Sequence, residues 1–241
     1  MNNLNPLVPS WQYDEMVQVG KDFANREVVE GYDSRHQRFR DIEKENAATI
    51  VGINLQADHT IADFGCGTGA FVLQAARCSK KVHAIDISTA MLDYTRTKAQ
   101  SLNLTNIEYH HGGFLTYRHN DPPLDAIVTS MALHHLPDFW KQKALHRLNG
   151  MLKPNGKLFL ADVVFTEKDV EKNVNAMINN LAAKAGPEMA EDASRHVRKE
   201  YSTFTWIMEG LLSRSGFKID HADYIDGVLA KYLCTKKADI E

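Results

Sequence analysis

The sequence predicts a doubly wound α/β protein with a mostly parallel, seven-stranded sheet. Three observations predict it. Strand-like apolar runs alternate with helical patterns between residues 58 and 165. The run Ile61–Phe64 stops in three glycines at alternate positions, Gly65, Gly67 and Gly69, and restarts at once as a helix. Near the end of the chain, two further strands meet across Asp226-Gly227, a pair that favours a tight antiparallel hairpin. Residues 1–57 read as a helical cap, 58–165 as the alternating α/β core, 166–200 as a helical insertion after strand 5, and 201–241 as a last helix and hairpin.

Residues 1–12 contain Pro6 and Pro9 and are expected to be poorly ordered, or pinned only through Leu7 and Trp11. A weak helical pattern runs from Tyr13 to Gly31, with Met16, Val19, Phe23 and Val28 on one side, and Gly31-Tyr32-Asp33-Ser34 breaks it. A stronger helix is expected from Arg35 to Asn54 on the stripe Phe39, Ile42, Thr49, Ile50 and Ile53. Then come a strand at 59–64 and a helix at 69–78, followed by a strand at 81–86 and a helix capped by Ser88 and running to Leu102. The third strand is 107–111, the fourth 124–131 and the fifth 158–162, with Asp138 capping the helix between the last two. Asn155 is expected to take left-handed backbone angles in the turn before strand 5. Val170, Val174, Met177, Ile178 and Leu181 give the insertion a helical stripe, stopped by Gly186-Pro187. Tyr201–Ser215 reads as a helix, and Phe217–Tyr224 and Val228–Cys234 as the hairpin strands.

A strand that ends in glycines before a helix leaves bare backbone N–H groups facing a crevice, an arrangement suited to a nucleotide. Gly65-x-Gly67-x-x-Ala70 formally satisfies the dinucleotide fingerprint, so a nicotinamide enzyme has to be weighed; no Gly-Lys-Ser/Thr follows, which excludes a Walker loop. The second strand ends in Asp86, where a carboxylate binds the hydroxyls of a ribose in either class. The whole pattern, Asp63-x-Gly65-x-Gly67-x-Gly69 followed by the acidic strand end, resembles the class I S-adenosylmethionine (SAM) methyltransferases. The run from Asp125 through His134-His135-Leu136-Pro137-Asp138 to Asp162 resembles them too, and an antiparallel C-terminal hairpin is a hallmark of that family rather than of dehydrogenases. Tyr32-Asp33 also resembles a pair in the ubiquinone/menaquinone type of these enzymes; packing of a helix corner explains Tyr32 equally well.

The resemblance implies SAM as cofactor and S-adenosylhomocysteine as product. It implies Asp63 near the methionine amino group, directly or through water, with Gly65, Gly67 and the backbone at Ser130 completing that end. Asp86 would hold the ribose and Ile87 would pack on the adenine. In the family the third strand usually ends in an acid that takes the adenine amino group; here Gly113 stands there, leaving the backbone of Gly113 and Phe114. His134 is the expected general base, with His135 bracing the loop.

With a formal net charge of −3 and pI about 6.4, nothing points to nucleic acid as a partner. A small or medium-sized organic acceptor is expected. An RNA or protein methyltransferase, and a SAM-binding protein without methyl transfer, stay open as alternatives. So does the oligomeric state, monomer or homodimer. Cys66, Cys78 and Cys234 are odd in number and widely spaced, which argues for a reducing compartment and against zinc. His110-His111 sit on opposite strand faces, so no metal is expected there. The N-terminus has no signal-peptide pattern and no run is long enough to span a bilayer, so the cytoplasm is the expected location.

Overall fold

The computed structural model describes residues 9–17, 29 and 31–237. The expected helix over Tyr13–Gly31 therefore lies largely outside the described residues. Helices α1 (Tyr32–His36) and α2 (Ile42–Gly52) precede the first strand. One continuous helix over 35–54 is not what forms. Asp41 takes a non-helical conformation (φ −95°, ψ 81°) and accepts a hydrogen bond from the Lys44 N–H, so the long helix starts there instead.

The core then alternates as expected: β1 (Thr60–Phe64), α3 (Ala70–Ala75), β2 (Lys81–Asp86), α4 (Thr89–Ser101), β3 (Ile107–His111), β4 (Leu124–Ser130), α5 (Asp138–Met151) and β5 (Leu152–Phe165). The Ser88 side chain caps α4 by accepting from the Met91 N–H. Asp138 does not cap α5. Pro137 holds that position, and the Asp138 carboxylate instead binds Lys141 and Thr203. Asn155 adopts φ 63°, the left-handed turn expected of it.

The insertion forms α6 (Val170–Ala185) and α7 (Pro187–Lys199). The expected helix at 201–215 starts later, at α8 (Thr205–Arg214), because Thr203–Phe204 first pairs with the end of β5 as a short strand, β6. Strands β7 (Phe217–Ile225) and β8 (Leu229–Lys236) form the hairpin, with Asp226 at φ 52° and Gly227 at φ 69°.

The sheet order is β3-β2-β1-β4-β5-β8-β7. The first five are parallel, and β8 runs antiparallel to both β5 and β7. Strand alternation splits the core between two faces: Ile61, Val82 and Ala126 join Phe71, Val72 and Leu92 on one, while Phe64, Ile85 and Ile127 join Leu145, Leu148 and Leu212 on the other. The central strands are thus covered on both faces, and the order reverses between β1 and β4, so the carboxyl ends of β1, β2 and β4 open onto one crevice. Among the described residues, no helix is long and apolar enough to cross a membrane.

Candidate functional site: a crevice at the carboxyl edge of the sheet

The glycine turn forms one side of the crevice. A Cβ at Gly65 would stand 2.4 Å from the Ala132 Cβ, and one at Gly69 would stand 2.2 Å from Thr95 Cγ2; packing demands both glycines. Gly67 differs, because the space beside it is open and it lines the cavity, so an entering molecule meets bare backbone. The loop is held from outside. Thr95 Oγ1 donates to the Gly67 carbonyl at 2.9 Å, and Lys98 Nζ donates to the Thr68 carbonyl at 3.0 Å and to Asp33 at 2.8 Å. Thr68 Oγ1 also donates to Asp33 at 2.5 Å. Asp33 therefore docks α1 on the loop, and its neighbour Tyr32 stacks on His36 and lines the cavity.

Asp86 closes β2 with both carboxylate oxygens oriented, accepting from the Gly67 N–H and the Ser88 N–H at 2.8 Å each. Each oxygen keeps a lone pair for a further donor. Asp63 is only 4% exposed and, among the described residues, has no hydrogen-bond partner. Burial, then the neighbouring Asp86 charge, pushes its pKa up to about 8. A buried carboxylate beside a second carboxylate, with no cation at hand, suits a ligand that carries positive charge. Neither Asp63 nor Gly69 lines the cavity; Gly65, Asp86, Ile87, Gly113, Phe114 and Ser130 do.

At the end of β3 the sequence offers no acid, yet one is present in space. A Cβ built on Gly113 would lie 2.6 Å from Oε2 of Glu15. Glu15 comes from the N-terminal segment and is fixed through its other oxygen, which accepts from Leu115 N–H (2.8 Å), Thr116 N–H (2.7 Å) and Thr116 Oγ1 (2.8 Å). Oε2 has no partner among the described residues, and Glu15 lines the cavity. Burial pushes its carboxyl up, against the pull of those donors.

Opposite the glycine turn, the short helical turn Leu133–His135 presents two histidines. His134 Nδ1 meets Asp162 Oδ1 at 2.5 Å while its backbone N–H binds Asp162 Oδ2, and its Nε2 meets Glu200 Oε2 at 3.2 Å. Burial alone would lower this ring's pKa, but the Asp162 and Glu200 charges outweigh it and hold it at about 9. A general base needs a free lone pair, and both nitrogens of His134 face carboxylates. The geometry thus moves His134 from the expected base to the middle of a charged network. His135 is half-buried, and its buried Nδ1 has no partner among the described residues; desolvation, then the charge on His134, lowers its pKa to about 4. Glu200 is positioned by its neighbour Tyr201, whose N–H binds the His134 carbonyl at 2.8 Å and whose carbonyl receives the buried Lys141 ammonium. Tyr13 adds a hydrogen bond to the His135 carbonyl at 3.3 Å.

Helices α6 and α7 complete the enclosure with Met177, Leu181, Met189 and His196, and the cavity measures about 1140 Å³. His110 and His111 diverge as expected, one to His83 and the other to the Ile87 carbonyl. Glu15, Asp162, His196 and Glu200 were not singled out by the sequence reading. Signals were available for three of them: Asp162 is the acid that ends the expected fifth strand, and His196 and Glu200 are four residues apart in the sequence.

Comparison with known proteins bears on the fold and on the stretch that carries the glycine turn. Residues 61–156 match a family described as a methyltransferase domain. An uncharacterized methyltransferase of Geobacillus kaustophilus is 29% identical over 194 residues, spanning 80% of this chain and 84% of the relative. A SAM-dependent methyltransferase of Aquifex aeolicus superposes with a TM-score of 0.62 at 19% identity, covering 88% of this chain and 98% of its own. A cyclopropane synthase of Mycobacterium tuberculosis superposes with a TM-score of 0.65 at 14% identity, covering 96% of this chain and 100% of its own. The glycine turn and Asp86 thus lie within the stretch that matches a methyltransferase domain, and the chain as a whole shares the fold of these solved methyltransferases.

Proposed function

We propose that this enzyme transfers the methyl group of SAM to a small or medium-sized organic acceptor. The observation that carries this is one continuous cavity running from Asp86 and the glycine turn to His135 and the α6–α7 wall. Its volume of about 1140 Å³ exceeds the roughly 300–1,000 Å³ typical of a pocket for one ligand, so cofactor and acceptor fit side by side.

SAM supplies a methyl group already activated on a sulfonium. The chain's own residues bind, orient and exclude water. Asp86 takes the ribose hydroxyls, and the open space at Gly67 lets the cofactor approach the backbone. Gly65 and the backbone at Ser130 bound the methionine end, and the buried Asp63 balances its ammonium. Ile87 and Phe114 flank the adenine. Glu15 Oε2 takes the adenine amino group in the space that Gly113 leaves open, supplying from the N-terminal segment the acid that strand β3 lacks. Tyr32 covers the cofactor from α1.

The test is transfer of label from methyl-labelled SAM into a cell extract, fractionated into small molecules, RNA and protein. Label in the small-molecule fraction is expected. Label in RNA or protein would replace this reading, and binding of S-adenosylhomocysteine without any transfer would favour a SAM sensor.

A further inference from the structure

His134, His196 and Glu200 reach one point on the cavity wall from different parts of the chain, His134 beyond β4 and the other two at the end of α7. Their ligand atoms all lie within 4.8 Å of one another. Nε2 of His134 and Nδ1 of His196 both approach the same oxygen, Oε2 of Glu200, and the two rings stand 4.5 Å apart at 73°. The far nitrogen of each ring is held by an outer partner: Asp162 on Nδ1 of His134 at 2.5 Å, and Ser202 Oγ on Nε2 of His196 at 2.7 Å. Rings oriented from behind, with inner nitrogens converging, are how proteins present imidazoles to a metal ion. A carboxylate beside two imidazoles is a donor set for a borderline divalent cation, with positions left open toward the cavity.

A second histidine–carboxylate group gives the contrast. His83, Glu108 and His110 also cluster, but Lys81 already places its ammonium there, 2.6 Å from Glu108 and 2.9 Å from Asp121. Among the described residues, no lysine or arginine pairs with Asp162 or Glu200.

We propose that His134, His196 and Glu200 bind a divalent transition-metal ion of the zinc type, with Asp162 and Ser202 as positioning residues. Facing the cavity, the ion takes a hydroxyl or thiol of the acceptor and favours its deprotonation, the proton leaving to water. The freed lone pair then attacks the methyl carbon. The new bond to carbon forms as the carbon–sulfur bond breaks, and that electron pair stays on sulfur, giving neutral S-adenosylhomocysteine. This chemistry rests on the methyl-transfer reading, whereas metal affinity does not.

The experiment is a competition titration of chelator-treated full-length protein with Zn²⁺ and Co²⁺, beside calorimetry with S-adenosylhomocysteine. One bound ion per chain is expected, with affinity falling at least ~10-fold in His196→Ala and in Glu200→Gln, and with His110→Ala unchanged. Ser202→Ala should weaken the ion less, and S-adenosylhomocysteine affinity should stay within about twofold in every variant. Co²⁺ should give the intense visible absorption of a low-coordinate site, lost in His196→Ala. No stoichiometric binding by the wild type, or equal binding by His196→Ala and Glu200→Gln, would overturn the proposal. So would loss of Zn²⁺ binding in His110→Ala alone. Failure of S-adenosylhomocysteine to bind would break the cofactor reading and leave the metal result standing.

Discussion

The two sides of the crevice are built on different terms. The cofactor side is contiguous sequence: Asp63 to Gly69 and then Asp86, on adjacent parallel strands whose register sets Asp63 opposite Ala84. The acceptor side is assembled from distant pieces: Tyr13 and Glu15, His134 and His135, Asp162, His196 and Glu200. The first side is local geometry, dictated by a strand, a turn and a helix. The second depends on tertiary contacts such as Tyr201 N–H to the His134 carbonyl. Cofactor chemistry is therefore expected to survive changes on the acceptor side, with one exception, Glu15, which crosses from one to the other.

The largest expected effect tests the cofactor side. Asp86→Ala should weaken S-adenosylhomocysteine binding by about 1–3 kcal/mol, the loss of a charged hydrogen-bond acceptor in a dry site. Calorimetry that found an unchanged dissociation constant would remove the ribose assignment.

Next comes pH. With Asp63 at about 8, the cofactor-free protein holds this carboxyl protonated at neutral pH. Binding a cationic ammonium requires the ionised form, so affinity should rise with pH from 6 and level off near 8, by up to about tenfold per pH unit. The sign for stability runs the other way. A carboxyl raised above its unfolded value of 3.8 contributes stability that is fully present below pH 4 and is lost as pH rises toward 8. Asp63→Asn should flatten both dependences, and a pH slope of affinity that persisted in that variant would sink the assignment.

A smaller effect probes the crossing point. Glu15→Gln should lower affinity for S-adenosylhomocysteine by about 1 kcal/mol. It should improve binding of the inosine analogue, whose carbonyl replaces the amino group. Gly113→Asp should impair binding alone, since the new Cβ meets Glu15. Combined with Glu15→Ala, it should restore binding, because the acid returns to strand β3. A double variant no better than either single one would refute the exchange.

The smallest effect is on the acceptor side. Tyr13→Phe removes a long, half-buried hydrogen bond to the His135 carbonyl and should cost about 0.5–1 kcal/mol of stability, read by denaturant unfolding, with cofactor affinity unchanged.

What the sequence made legible follows the same divide. Short apolar runs, the glycine spacing and Asp226-Gly227 are short-range signals, and they foretold the strands, the crevice and the hairpin. The helix expected over 35–54 failed at Asp41, where a side-chain cap outcompeted a continuous apolar stripe. The start of α8 shifted because Thr203–Phe204 found a strand partner in β5, a pairing no local pattern announces. Gly113 read as a missing acid because Glu15 lies about 100 residues away. His134 read as a base because its surroundings, Asp162 and Glu200, come together only in the fold.

The clamps on the glycine turn bear on the entropy of binding. The Gly67 carbonyl is held by Thr95, the Thr68 carbonyl by Lys98, and the Thr68 hydroxyl by Asp33, all of them groups of the chain itself. The conformational freedom of that loop is already surrendered when the chain folds, so the cofactor meets a preorganised surface and has little backbone left to order. Any slow, population-shifting step that accompanies loading is then to be sought in α6 and α7, and rapid-mixing traces should change when those elements are altered and not when the loop is stiffened further.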